Sequence, residues 1–322
     1  MKNILIIAKM HLFSKEISQN RYKFLQFLDS KPNIRVIDDL PRHINKTLMK
    51  QKNSGFNVDI IIYYALSAGA KWRDIKTINF KNCNLKKYLV FEDYIYINLC
   101  SEMFENYNFN DLIIIKCDNA FISRYSEKLG KSPLLWNHFI DTEVFKERNR
   151  KKIYKLLLYG FCAPKLYPIR AKIKFFMLEL LKKHPNLRIK IVEHPGYQDI
   201  DLSKAVMEQN LSKLINESCF TIATSSAANT FVKKYIEIPL SGSVLVGDIP
   251  KGYENLLQNN IVEIPQTTKN DDIFKKLLDI INGNYDYMLD QKRIDNFAET
   301  IKSQYSYEQG YNKLLQILNI SR

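Results

Sequence analysis

At 322 residues, with 46% hydrophobic residues and only ten glycines and ten prolines, the chain outgrows a single core of about 250–300 residues and excludes disordered and fibrous classes. Its net charge of +14 admits nucleic acid, an anionic membrane or phosphorylated substrates as partners, but no RGG-like tract, zinc-finger spacing or basic heptad array accompanies it, so no nucleic acid is expected. Five scattered cysteines with no CxxC pair argue against disulfides or structural zinc, and no apolar stretch reaches the about 20 residues of a membrane span. A cytoplasmic location is expected, with at most peripheral membrane association.

In chain order, NILIIA (3–8) predicts a first buried strand, followed by a loop with Lys9 and His11 and a helix from about Ser18 to Leu28. IRVID (34–38), DIIIYYAL (59–66), KKYLVF (86–91) and DLIIIKC (111–117) are further strands, and PLLWNHFI (133–140) leads out of this half. The basic run KERNRKKIYK (146–155) reads as a solvated connection. The pattern then restarts with the strand YKLLLYG (154–160) and a helix from Pro168 to Lys183, whose apolar face includes Phe175, Phe176, Leu178 and Leu181. LRIKIVEH (187–194) is a strand, Ser203 to Glu217 a helix, IVEI (261–264) a short strand, and YEQGYNKLLQILNI (307–320) an amphipathic helix. Strands alternating with helices imply parallel sheets with right-handed crossovers.

The most informative stretch runs from Cys219 to Asp248. FTIA (220–223) and VLV (244–246) are short apolar runs of the kind buried in parallel sheets. Between them Thr224, Ser225, Ser226 and Thr230 offer hydroxyls and backbone N–H groups at an expected helix start, where anions bind. On that helix Asn229, Lys233 and Glu237 recur at i, i+4 and i+8 and share one face; Lys234 points about 100° away. A phosphate-gripping turn plus a carboxylate that accepts from sugar hydroxyls suits a nucleotide-sugar, and the plain alternative is a βαβ unit with a solvated helix face. In a doubly wound layout ligands bind beyond the strand ends, which also selects His11, Glu92, Asp93, His138, Gly160, Lys165, Arg170 and His194. Lys165 and Arg170, at a turn-to-helix start, would stabilise a leaving diphosphate.

LLWNHFIDTEVFK (134–146), YGFCAPKLYPIR (159–170), EHPGY (193–197) and EIPLSGSVLVGD (237–248) together resemble glycosyltransferases of the B fold. The likeness is to the retaining nucleotide-sugar superfamily, including its spore-coat-type and virus-encoded members, and covers residues 85–265. It implies two Rossmann-like α/β domains facing across a cleft: residues 1–146 on the acceptor side, 147–304 binding the donor, and a helix at 305–322 packing at the seam. It further implies that Glu237 contacts the nucleotide ribose. The family places another Glu eight residues earlier, where this chain has Asn229.

Asp93 follows a strand where this fold sets its acceptor-side polar group, and a base there would deprotonate an acceptor hydroxyl. His11 and His138 are the other catalytic candidates, since a neutral imidazole suits base work near pH 7. With no Asp-x-Asp pair, a divalent metal is not expected to be essential and no metal ligands are assigned. No G-x-G-x-x-G follows the first strand, which disfavours a dehydrogenase, and no P-loop motif is present. The expected function is transfer of a sugar from a nucleotide-sugar to a hydroxyl of a glycan, lipid-linked or protein-linked acceptor, with no cofactor. A catalytically inactive nucleotide-sugar or glycan binding module is the alternative.

Overall fold

The computed structural model describes residues 1–8, 20–38, 44–64, 80, 83–91, 104, 108–115, 119–194, 206 and 208–320. Two compact units emerge, one from residues 1–139 with 307–322 and the other from 140–306.

In the first unit the elements are β1 (Ile4–Ala8), α1 (Asn20–Asp29), β2 (Ile34–Ile37), α2 (Ile44–Asn53), β3 (Ile60–Tyr64), β4 (Lys86–Phe91), β5 (Asp111–Ile114), α3 (Asn119–Leu129) and β6 (Leu134–Leu135). All strands pair in parallel, in the order β2-β1-β3-β4-β5-β6. Successive residues of β1 feed opposite cores, Ile4 and Ile6 packing with Phe24 and Trp136, and Leu5 and Ile7 with Ile61 and Tyr63. Burial on both faces is why these strands read as unbroken apolar runs.

The second unit contains β7 (Tyr154–Tyr159), α4 (Pro168–Lys183), β8 (Ile189–Val192), α5 (Glu208–Asn216), β9 (Ser218–Ile222), α6 (Lys234–Leu240), β10 (Val244–Gly247), α7 (Glu254–Leu257), β11 (Ile261–Glu263), α8 (Asn270–Ile281) and α9 (Gln291–Tyr305). Its parallel sheet has the order β11-β10-β9-β7-β8. A final helix, α10 (Tyr307–Ile317), belongs to the first unit, where Tyr311 and Leu314 join the core around Phe24 and Trp136 donates its indole N–H to the Gly310 carbonyl at 3.0 Å.

Three local expectations are corrected. The run 146–155 is no solvated connection. Arg148 donates to Ser212 Oγ at 2.6 Å and to the Val144 carbonyl at 2.9 Å, while Lys152 donates to the carbonyls of Asn216 and Gly242. Its cations serve as donors for carbonyls left bare at helix ends and turns. On α4 the buried stripe is Ile169, Ile173, Met177 and Leu180, leaving Phe175 and Leu178 outside. This helix is apolar on two sides, so periodicity offered two stripes and the sheet took the other. The third correction concerns residues 223–233, which are not helical.

Candidate functional site

Strand order 2-1-3-4-5, counted within the second sheet, reverses direction between β7 and β9. Open α/β sheets bind ligands in the crevice beyond the strand ends at such a reversal. Gly160 leaves β7 there, and Ala223 followed by Thr224 leaves β9.

Gly160 sits at φ +88°, and a Cβ at this position would come within 2.7 Å of Lys234 Nζ. The positive φ favours glycine there, and a Cβ would also displace the end of the Lys234 side chain. Lys234 is 8% exposed. Its ammonium donates to the Tyr159 carbonyl and lies 3.1 Å from the centroid of the Tyr159 ring. The phenol of Tyr159 reaches the other way and donates to Glu237 Oε2 at 2.8 Å. Among the described residues Glu237 Oε1 takes no hydrogen bond from the protein, and it is not sealed from solvent.

Arg170, in the first turn of α4, is 2% exposed. It donates from Nε to Thr224 Oγ1 at 3.1 Å, and through its two terminal nitrogens to the carbonyls of Phe161 (2.9 Å) and Thr224 (2.7 Å). Its guanidinium stacks 4.0 Å from the Tyr167 ring centroid. These partners are neutral, so they fix the guanidinium without cancelling its charge.

The titration behaviour follows from two cations sharing a dry site. Burial pushes Lys234 well below its ordinary range, Arg170 adds to the depression, and Glu237 opposes it. Burial raises Glu237, against the pull of Lys234 and the Tyr159 hydrogen bond. Burial lowers His194, just beyond β8, and the charges of Lys234 and Arg170 lower it further; its ring lies edge-on to Phe161, centroids 5.5 Å apart. Lys234, Arg170, Glu237 and His194 are thus electrostatically coupled, with Lys234, Arg170 and Glu237 buried.

The segment after β9 behaves differently. Ser225 donates its backbone N–H to Asp248 Oδ1 at 2.8 Å and its hydroxyl to Oδ2, and Gln266 donates to both Ser225 Oγ (2.5 Å) and Asp248 Oδ2 (3.0 Å). Ser226 and Thr230 bond each other through their hydroxyls at 2.8 Å. Asn229 stands at φ +56°, in a turn closed by its N–H to the Ser226 carbonyl at 2.8 Å. Ser226 Oγ accepts the Ala228 N–H at 3.2 Å, a local bond that competes with helix, and Asn229 Oδ1 accepts the Lys251 N–H at 3.3 Å. Helix α6 consequently starts ten residues after Thr224, and Asn229 shares no helical face with Lys233 and Glu237.

Of the residues selected from sequence, the structure gathers Gly160, Arg170, Thr224 and Glu237 around Lys234, with His194 electrostatically coupled to the group. Thr224, Ser225, Ser226 and Thr230 are buried and bonded internally. Lys165 is exposed in the turn before α4, and Lys233 is partly buried just ahead of α6. His138 is buried in the first unit, after β6. His11 and Asp93 lie outside the described residues. A helix expected to start near Thr224 sets Lys234 off the face of Glu237, whereas the observed helix does not. With α6 beginning at 234, Lys234 and Glu237 stand at i and i+3 and share a face. Among the described residues no three His, Cys, Asp or Glu side chains converge as metal ligands, and no helix is long and apolar enough to cross a membrane.

No family model and no curated protein matches the chain. Solved structures do. A glycosyltransferase from Rickettsia africae is similar at TM-score 0.58 and 13% identity, over 99% of both chains. HepE of Anabaena, solved in complex with UDP-glucose, is similar at TM-score 0.58 and 11% identity, over 99% of this chain and all of that one. TarM is similar at TM-score 0.53 and 17% identity, over 81% of this chain. The chain spans about half of TarM, 54% of its length. The fold is accordingly that of the GT-B glycosyltransferases, built from two Rossmann-like α/β units.

Proposed function

We propose that this chain is a glycosyltransferase that moves a sugar from a nucleotide-sugar donor to an acceptor hydroxyl. The donor's nucleotide end binds at the ends of β7 and β9. The observation that carries this reading is Glu237, whose Oε2 is held by Tyr159 while Oε1 stays available among the described residues beside the buried Lys234. A free carboxylate oxygen accepts ribose hydroxyls, and Lys234 with Arg170 provides the field that a diphosphate needs. The glycosidic carbon–oxygen bond to the β-phosphate breaks, the acceptor oxygen bonds to the same carbon, and the acceptor proton passes to a base or to the departing phosphate. Charge on the leaving diphosphate grows during this step, and the buried cations stabilise it without an essential divalent metal. Acceptors of the glycan, lipid-linked and protein-linked kinds all present the hydroxyl required. The UDP-glucose complex of HepE makes uridine diphosphate the first nucleotide to try.

Calorimetry with nucleoside diphosphates and their sugar conjugates, on the wild type and Glu237→Gln, tests the site. One diphosphate family should bind, with the variant about tenfold to a hundredfold weaker through loss of a hydrogen bond to a charged group. Radiolabelled transfer from that donor then tests the activity. Absence of nucleotide binding refutes the reading outright, and donor binding without turnover across an acceptor panel refutes the enzymatic half.

A further inference from the structure

Helix α4 leaves a second apolar face uncovered. While Ile169, Ile173, Met177 and Leu180 are buried, Phe175 is 59% exposed and Leu178 47% exposed. Lys172, three residues before Phe175, and Lys182, four after Leu178, are exposed too. The spacing 172-175-178-182 puts cation, aromatic, aliphatic and cation on one side of the helix. Lys183 is exposed at the same end and Lys165 just before the helix. Glu179 is the sole carboxylate in α4, and Lys174, off this stripe, is paired with Glu193.

An apolar helix face is normally covered, α4 has a second one, and the surrounding charge selects the cover. A second copy of this face, packed about a two-fold axis, would bring Lys172 and Lys182 against the same residues of its mate. An anionic surface meets the same lysines favourably. We propose that the outer face of α4 docks on an anionic lipid bilayer, Phe175 and Leu178 entering the headgroup boundary while Lys172 and Lys182 reach the lipid phosphates. Long lysine stems allow that division of labour, and the net charge of +14 adds attraction at longer range. This docking is independent of the donor site and stands whether or not the chain transfers sugar.

Cosedimentation of the full chain with phosphatidylcholine vesicles, with and without phosphatidylglycerol, tests it. The wild type should bind the anionic vesicles, less so in high salt, and ignore phosphatidylcholine alone. Each lysine near such a surface contributes about fivefold in affinity, so Lys172→Glu with Lys182→Glu should weaken binding at least about 25-fold. Phe175→Ser with Leu178→Ser should reduce it comparably at unchanged charge. All four positions are exposed, and an unchanged circular dichroism spectrum verifies that the variants fold. No binding to anionic vesicles at low salt overturns the proposal, as does equal binding by the variants. A wild-type dimer that Phe175→Ser with Leu178→Ser dissolves also overturns it, because a second copy would then be the cover.

Discussion

After β9, residues 224–230 turn their hydroxyls onto one another, onto Arg170 and onto Asp248, so that the segment is held at five or more points by its own protein. Beside Gly160 at the end of β7, Lys234 and Glu237 of α6 keep hydrogen-bonding capacity unspent among the described residues. Both regions are buried and polar, and both were expected to meet the ligand. Burial with every partner internal builds a scaffold, whereas burial with an unspent carboxylate oxygen beside cations held by carbonyls builds a site for something that arrives later.

The largest effect should come from breaking the scaffold. Asp248→Ala strips acceptors from Ser225 and Gln266 inside the protein, and urea denaturation should show a loss of about 3 kcal/mol. A loss below about 1 kcal/mol would mean that the loop does not depend on this network. Glu237→Ala orphans the Tyr159 hydroxyl beside a buried cation, costing about 2 kcal/mol in the same assay. Glu237→Gln retains an acceptor for Tyr159 and should keep most of the stability while losing the nucleotide. Equal destabilisation by the two variants would assign Glu237 to the scaffold instead.

Lys234→Met should leave stability unchanged or improved, since a buried ammonium is exchanged for a thioether of similar length. Removal of one preorganised charge should nonetheless cost about a hundredfold in turnover. The reverse pattern, lower stability with full turnover, would erase the contrast between the two regions. Gly160→Ala should cost about 1–2 kcal/mol, because an L residue is forced into left-handed backbone, and it should also displace Lys234 and weaken nucleotide binding.

The smallest effect is a pH dependence. Lys234 titrates below its ordinary value of 10.5, so between the depressed value and 10.5 the unfolded chain holds a proton that the folded chain lacks. Stability from this group therefore rises with pH across that window. Any advantage of Lys234→Met over the wild type should be greatest below the window and fade toward pH 10.5. Diphosphate affinity of the wild type should fall over the same range as the ammonium loses its proton. A stability difference that is flat with pH would show that Lys234 is not strained by burial.

Much of the layout was legible in the sequence. Uninterrupted runs such as ILIIA, IIIYY and KLLLY mark strands buried on both faces, because only a sheet covered by helices on each side removes the alternation of polar residues. Gly160 and Arg170 are legible because they come soon after a strand, a local feature, and Glu237 because the block 237–248 resembles a family motif. Three matters needed the tertiary structure. The start of α6 depended on Asp248 and Gln266, which lie far along the chain and hold residues 224–230 out of helix. The inner face of α4 depended on which of two apolar stripes met the sheet. The choice of Lys234 over Lys233 depended on the Tyr159 ring and carbonyl waiting beneath it. Periodicity and turn signals report what a segment is able to do alone; which side chain is buried, and which polar group keeps a bond to spare, is decided by partners that sequence proximity does not reveal.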